Sequence, residues 1–212
     1  MSRAAQTWRL AKANSFFVAE SIDNYRSALR SAVRGLWSGA FSSQQFYDAM
    51  LDTVGLGLNS AWREGAAQVG IYPDEFTQSE LAARDEFVLR QYQYITGFGR
   101  FIEQHSKANG GKLGDVMYRM NMWVNRYNDA VNQAIATVGG DKKLKWILGP
   151  TEEHCPDCAK YAGRVHRSSV WASKNIAPQS SNLSCHGYHC ECRLEPTTER
   201  ATSGRPPAPS GG

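Results

Sequence analysis

The sequence predicts an α+β chain, with about four helices over residues 1–138 and then a small zinc-stapled, β-containing lobe over 139–199. Three observations lead there. Apolar residues recur in steps of three and four through the first two thirds of the chain. At Gly139-Gly140 the pattern gives way to short apolar runs between turn residues. All five cysteines, Cys155, Cys158, Cys185, Cys190 and Cys192, fall in the last third.

The first helix is expected near residues 3–34, with Trp8, Phe16, Ile22, Leu29 and Val33 among charged positions and Gly35 as its stop. Six basic side chains (Arg3, Arg9, Lys12, Arg26, Arg30, Arg34) face only Glu20 and Asp23 there, so this stretch is strongly basic. The second helix starts at a capping box, Ser42 with Gln45, with Phe41 and Phe46 placed as a hydrophobic staple. Its apolar positions are Phe46, Met50, Val54, Leu58, Ala61, Trp62 and Val69, and Gly70 and Pro73 close it. Thr77 with Glu80, and Phe76 with Leu81, repeat the start signal. A third helix is expected to run from there to about Ser106. Leu81, Val88, Ile95 and Ile102, beside Phe87, Tyr94 and Phe101, form its buried rows, and Gly97 and Gly99 can kink it. Asn109-Gly110-Gly111 is a turn. The fourth helix spans about Asp115 to Val138, with a stripe of Val116, Met120, Trp123, Tyr127, Val131, Ile135 and Val138. These stripes read as core.

In the lobe, Lys145–Leu148, Arg164–His166 and Cys192–Leu194 are strand candidates, and Ser168–Ser173 is a helical turn around Trp171. Pro156, Gly163, Pro178 and Gly187 read as turn chemistry. Residues 200–212, dominated by Pro, Gly, Ser and Ala, are expected to be a disordered tail.

A hydrophobic fraction of 42% in 212 residues is that of a globular protein, and a net charge of +4 permits contact with nucleic acid or an acidic partner without requiring it. The N-terminus lacks an apolar core and a cleavage site, and no run reaches the length of a membrane helix. The expectation is a reducing cytosol, where clustered cysteines point to metal and not to disulfides.

Cys155-Pro156-Asp157-Cys158 is a C-x2-C pair, half of a tetrahedral zinc site. The other half comes from among Cys185, His186, His189, Cys190 and Cys192, at spacings C-x4-C, H-x2-C or C-x-C. Cys155, Cys158, Cys185 and Cys190 are the favoured set, with Cys192 the first substitute. Four thiolates leave no open coordination position, which makes the role structural. Structural zinc contributes on the order of 10 kcal/mol or more in small peptides, and a lobe with few large apolar residues would depend on it. A redox pair would need a βαβ setting that is missing here, and a deaminase would need His-x-Glu before Pro-Cys-x-x-Cys. A nucleophilic pair such as Cys155 with His166 competes poorly with zinc for the thiolate. His154, His166, His186 and His189 read as surface groups or groups around the metal. Glu152 and Glu153 read as exposed turn residues, so no catalytic residue is expected.

Trp146-Ile147-Leu148, Glu153-His154-Cys155-Pro156-Asp157-Cys158, Gly163, Pro178 and Cys185-His186-Gly187-Tyr188-His189-Cys190-Glu191-Cys192-Arg193-Leu194 together resemble the C-terminal domain of phage minor head proteins of the Mu F-like head morphogenesis family. The resemblance spans about residues 115–196. By it, Cys155, Cys158, Cys190 and Cys192 match the family's thiol positions best, Cys185 matches a variant with an extra upstream cysteine, and His189 falls where many members carry a histidine. Ser184-Cys185-His186-Gly187 stands where the family more often has prolines, so the fourth ligand stays open. The resemblance implies a minor capsid component, incorporated in the virion during head assembly in the bacterial host's cytoplasm. It implies portal or capsid proteins as partners, a role in DNA packaging or ejection, and neither membrane nor small-molecule substrate. The alternative is a zinc-containing nucleic-acid-binding module, with Lys142, Lys143 and Lys145 holding a backbone and Trp146 stacking a base.

Overall fold

The computed structural model describes residues 22–188 and 190–210. Trp8, Phe16 and the basic residues Arg3, Arg9 and Lys12 of the expected first helix, together with His189, lie outside the described residues. The fold class is α+β: helices occupy most of the described residues up to Val138, and a small three-stranded sheet follows. The chain divides into two compact units, residues 1–60 with 90–124 and residues 61–89 with 125–212.

The first unit is helical. Helix α1 (Ile22–Ser38) buries Tyr25, Leu29, Ala32, Val33 and Leu36, one face at helical spacing. It does not stop at Gly35 as expected. The stop is Gly39, whose φ of +80° suits only glycine well, and Phe41 N–H returns to the Gly35 carbonyl at 3.0 Å. Gly35 instead makes room for the Phe41 ring, which a Cβ would approach to 2.7 Å. Helix α2 (Ser43–Gln68) begins at the predicted capping box: Gln45 N–H donates to Ser42 Oγ at 3.2 Å, and Ser42 N–H donates to Gln45 Oε1 at 2.8 Å.

The expected third helix is two. Helix α3 (Gln78–Tyr92) starts at the Thr77–Glu80 box, where Thr77 N–H donates to Glu80 Oε2 at 2.8 Å. Helix α4 (Ile95–Gln104) follows a break at Gln93-Tyr94. The break precedes the glycines expected to kink the helix. It falls where Tyr92, Tyr94, Ile95 and Thr96 crowd residues of poor helix propensity, and where the Gln93 amide caps the Arg90 carbonyl at 2.9 Å. Tyr94, placed in a buried row by its spacing, is 58% exposed at this break. Phe46, Phe98 and Trp123 pack in series, with centroid separations of 6.1 and 6.2 Å. Trp123 comes from helix α5 (Leu113–Val138).

The second unit contains the sheet, in order β2-β1-β3 and antiparallel throughout: β1 (Lys143–Ile147), β2 (Val165–Arg167) and β3 (Arg193–Pro196). Trp146 faces Leu194 and Leu144 faces His166 across the ladders. Leu144 and Trp146 point inward and Lys143 and Lys145 outward, the alternation of a half-buried strand. Helices α6 (Pro156–Tyr161) and α7 (Ser168–Ser173) lie on either side of β2 in the chain. The first replaces an expected turn, because Pro156 occupies the first helical turn, where its missing N–H costs nothing. Trp146, Tyr161 and Trp171 pack as a triangle of rings 4.9, 5.6 and 5.8 Å apart. Ala66 of α2, Val69 in the turn just after it, and Ile135, Ala136 and Val138 of α5 join this core, so the lobe does not rely on its own apolar residues alone.

The tail is not disordered over residues 201–210. Thr202 N–H donates to the Val165 carbonyl at 2.8 Å, Pro206 is buried, and Ser210 N–H donates to Asp157 Oδ1 at 2.8 Å. Composition lowers the apolar gain of a segment, but here backbone groups meet fixed partners on the sheet edge and on α6.

Candidate metal centre

Cys155 has extended backbone (φ −63°, ψ 153°) and caps α6, its Sγ accepting the Cys158 N–H at 3.3 Å. That turn brings the Cys155 and Cys158 sulfurs together. The closing cysteines come from an irregular stretch held by tight turns: His186 N–H bonds the Leu183 carbonyl at 2.7 Å and Tyr188 N–H the Cys185 carbonyl at 2.8 Å. Leu183 anchors it in the core. Helix α5 props it from below, through Arg126 Nη2 to the His186 carbonyl at 3.0 Å and Asn132 Oδ1 accepting Leu194 N–H at 3.0 Å. Gln179 Nε2 reaches the Cys192 carbonyl at 3.4 Å. These three side chains carry no motif, and periodicity alone does not single them out.

All five sulfurs converge. Cys155, Cys158 and Cys185 form one group and Cys158, Cys190 and Cys192 another, with sulfurs in each within 4.8 Å of one another. Cys158 belongs to both, and its Sγ lies 3.7 Å from that of Cys190. Zinc–sulfur bonds of about 2.3 Å in a tetrahedron put sulfurs about 3.8 Å apart, so this edge already has the right length. Cys158 and Cys192 are buried; Cys155, Cys185 and Cys190 are half-buried. The favoured set of Cys155, Cys158, Cys185 and Cys190 takes the whole first group plus Cys190, while Cys192 lies in the second.

Hydrogen bonds from Cys158 and Cys190 pull both Cys185 and Cys192 below the usual thiol range, against the opposing effect of burial. The same hydrogen bonds and burial push Cys158 up. A compact cluster of sulfur donors is suited to a soft or borderline cation. The donor set fits zinc: sulfur-rich, partly buried, with an edge of tetrahedral length.

Asp157, between the paired cysteines, was not singled out by the spacing. It is fully buried. Its Oδ2 accepts from Ser184 N–H at 2.8 Å and Ser184 Oγ–H at 2.5 Å; Oδ1 accepts from Lys160 at 3.0 Å and Ser210 N–H at 2.8 Å. Burial alone would raise its pKa, but the Ser184 hydroxyl, Lys160 and the two backbone amides outweigh it and hold the carboxyl well below the usual carboxylate range. The motif gave a hint only in that an acidic residue sits at the first turn of a helix.

The histidines separate. His154 is half-buried, with Nδ1 3.2 Å from Thr151 Oγ1, and His186 is exposed. His166 is not a surface group: it is 4% exposed, its ring edge-on to Trp171 at 4.9 Å, because its place on β2 turns it into the aromatic core. Glu152 and Glu153 are exposed, as expected. Of the lysines and the aromatic in the nucleic-acid reading, Lys142 is exposed, while the others are engaged or covered. Trp146 is fully buried, Lys143 Nζ donates to the Thr198 and Glu199 carbonyls, and Lys145 pairs with the Glu199 carboxylate at 2.6 Å. Among the described residues no helix is long and apolar enough to cross a membrane. Comparisons with protein-family models, curated proteins and solved structures find no match.

Proposed function

We propose that this chain is a structural minor component of a phage or prophage head, acting in head assembly near the portal, with its C-terminal lobe stapled by Zn2+. The observation behind it is the convergence of the C-x2-C turn and the closing cysteines on Cys158, beside a Trp-bearing strand. Those are the parts on which the resemblance to Mu F-like head morphogenesis proteins rests, in the same order. Four thiolates drawn from Cys155, Cys158, Cys185, Cys190 and Cys192 would hold the ion. A closed sulfur shell supplies cross-linking and no open position for a substrate, so the role is assembly and not catalysis. The partners are portal or capsid proteins, and the site of action is the virion, built in the host cytoplasm. The nucleic-acid reading is less favoured, because Lys143 and Lys145 are engaged by the chain itself. Any contact with phage DNA would then be secondary.

The test joins metal analysis to particle incorporation. Purified protein is expected to carry one zinc ion per chain. Cys158→Ser, which removes the sulfur common to both groups, should lose it and drop out of assembled heads. Full incorporation of a zinc-free Cys158→Ser protein would refute the link between the centre and assembly.

A further inference from the structure

Residues 197–210 follow a defined course over the lobe. Lys143 Nζ holds the Thr198 and Glu199 carbonyls at 2.8 and 2.5 Å, and Thr197 N–H donates to the Lys143 carbonyl at 2.9 Å. Thr202 then occupies the outer edge of β2, donating its N–H to Val165 O and accepting Val165 N–H on Oγ1 at 3.0 Å. Tyr161 OH donates to the Pro207 carbonyl at 2.9 Å. The course ends on α6, where Ser210 N–H meets Asp157 Oδ1 and Lys160 Nζ donates to Ser210 Oγ.

The last anchor is shared. One oxygen of Asp157 receives the tail, and the other receives Ser184, the residue before Cys185. Asp157 itself precedes Cys158. An ion that ties Cys158 to the closing cysteines therefore also fixes the spacing between Asp157 and Ser184, and with it the carboxylate that holds Ser210. We propose that the lobe carries a docking groove for the chain's own segment 197–210, and that seating of the Ser210 end is coupled to metal binding through Asp157. This rests on the zinc reading above. The sheet-side anchors, at Lys143, Lys145 and Val165, lie on β1 and β2 and not on the turns that carry Asp157 and Ser184, so the coupling is graded: the Pro206–Ser210 end answers to the ion, and the Thr197–Thr202 end stays seated. Because coupling is reciprocal, a seated tail also tightens binding of the ion by the same factor.

Amide exchange in the full-length 15N-labelled protein reads this directly. On stripping zinc with a chelator, the Ser210 amide should exchange at least about tenfold faster, within the ordinary range of coupling between sites, while Thr202 changes much less. Asp157→Asn should speed Ser210 exchange in protein that still holds its zinc. Ser210→Pro removes the N–H donor to Asp157, and with it the hydroxyl that accepts from Lys160, at an exposed residue far from the core; it should weaken zinc affinity in chelator competition by about tenfold, the reciprocal of the exchange effect. Zinc-binding protein in which Ser210 exchange is the same with and without the ion, or Ser210→Pro protein with unchanged zinc affinity, overturns the coupling and leaves the zinc centre standing. Protein that binds no zinc overturns both.

Discussion

Asp157→Ala should destabilise the second unit by about 3–5 kcal/mol, a loss comparable to breaking a buried ion pair. The magnitude follows from its four donors. The Ser184 N–H and Oγ–H bonds, 2.8 and 2.5 Å, are made by a carboxylate with no solvent exposure, and hydrogen bonds to charged groups are worth about 1.5–3 kcal/mol each. Lys160 adds at most a few tenths, because its side chain is 38% exposed and water screens the pair. Ser210 is exposed, and its amide returns to water when the partner is removed. The two Ser184 bonds therefore dominate. Denaturant unfolding of the zinc-loaded protein, followed by near-ultraviolet circular dichroism of the packed Trp146, Tyr161 and Trp171 rings, measures the loss. Asp157→Asn, which keeps the shape and one acceptor, should fall between wild type and Asp157→Ala. A loss under about 1 kcal/mol for the alanine variant would show that the carboxylate does not organise the lobe, since that is the size of one ordinary neutral hydrogen bond.

Three further outcomes are expected. Gly65→Ala should cost about 1–3 kcal/mol or more in thermal unfolding, since its Cβ would lie 2.2 Å from the Val131 carbonyl oxygen, a backbone atom that cannot swing away. Ser168→Ala should cost about 1–3 kcal/mol in the same assay, because the buried Oγ–H serves the Ile135 and Ala136 carbonyls at 3.0 and 2.5 Å near the end of α5. Burial, and then the Arg164 charge, lower the His166 pKa, so the unfolded chain takes up the proton first as pH falls below about 6.5. The stability from neutral His166 is thus fully present above that pH and declines beneath it; unfolding free energies for wild type and His166→Phe should diverge below pH 6.5 in slope, and parallel curves would contradict this.

Much of the helical architecture is legible in the chain because its signals are local. Ser42 with Gln45 and Thr77 with Glu80 close their boxes within three residues, and the apolar stripes of α2 and α5 need only helical periodicity to show their buried faces. The C-x2-C turn is local in the same sense, since Cys155 caps the helix that carries Cys158. The break between α3 and α4 is less legible, because Gly97 and Gly99, the residues of lowest helix propensity, lie downstream of the crowded aromatic and β-branched run where it occurs.

The amino-acid order by itself determined the α+β class, the helix starts, the rough strand positions and the identity of the clustered thiols. Only the tertiary structure decided that Asp157 is the hub of the centre, that His166 belongs to the core, that Lys143 and Lys145 are occupied, and that residues 201–210 are seated. The physical reason is separation along the chain. Asp157 draws its partners from Ser184 and Ser210, 27 and 53 residues away, and Lys145 from Glu199, 54 residues away. Caps and periodicities are set by neighbours within a turn or two, whereas these bonds exist only once the sheet has closed and brought distant segments together.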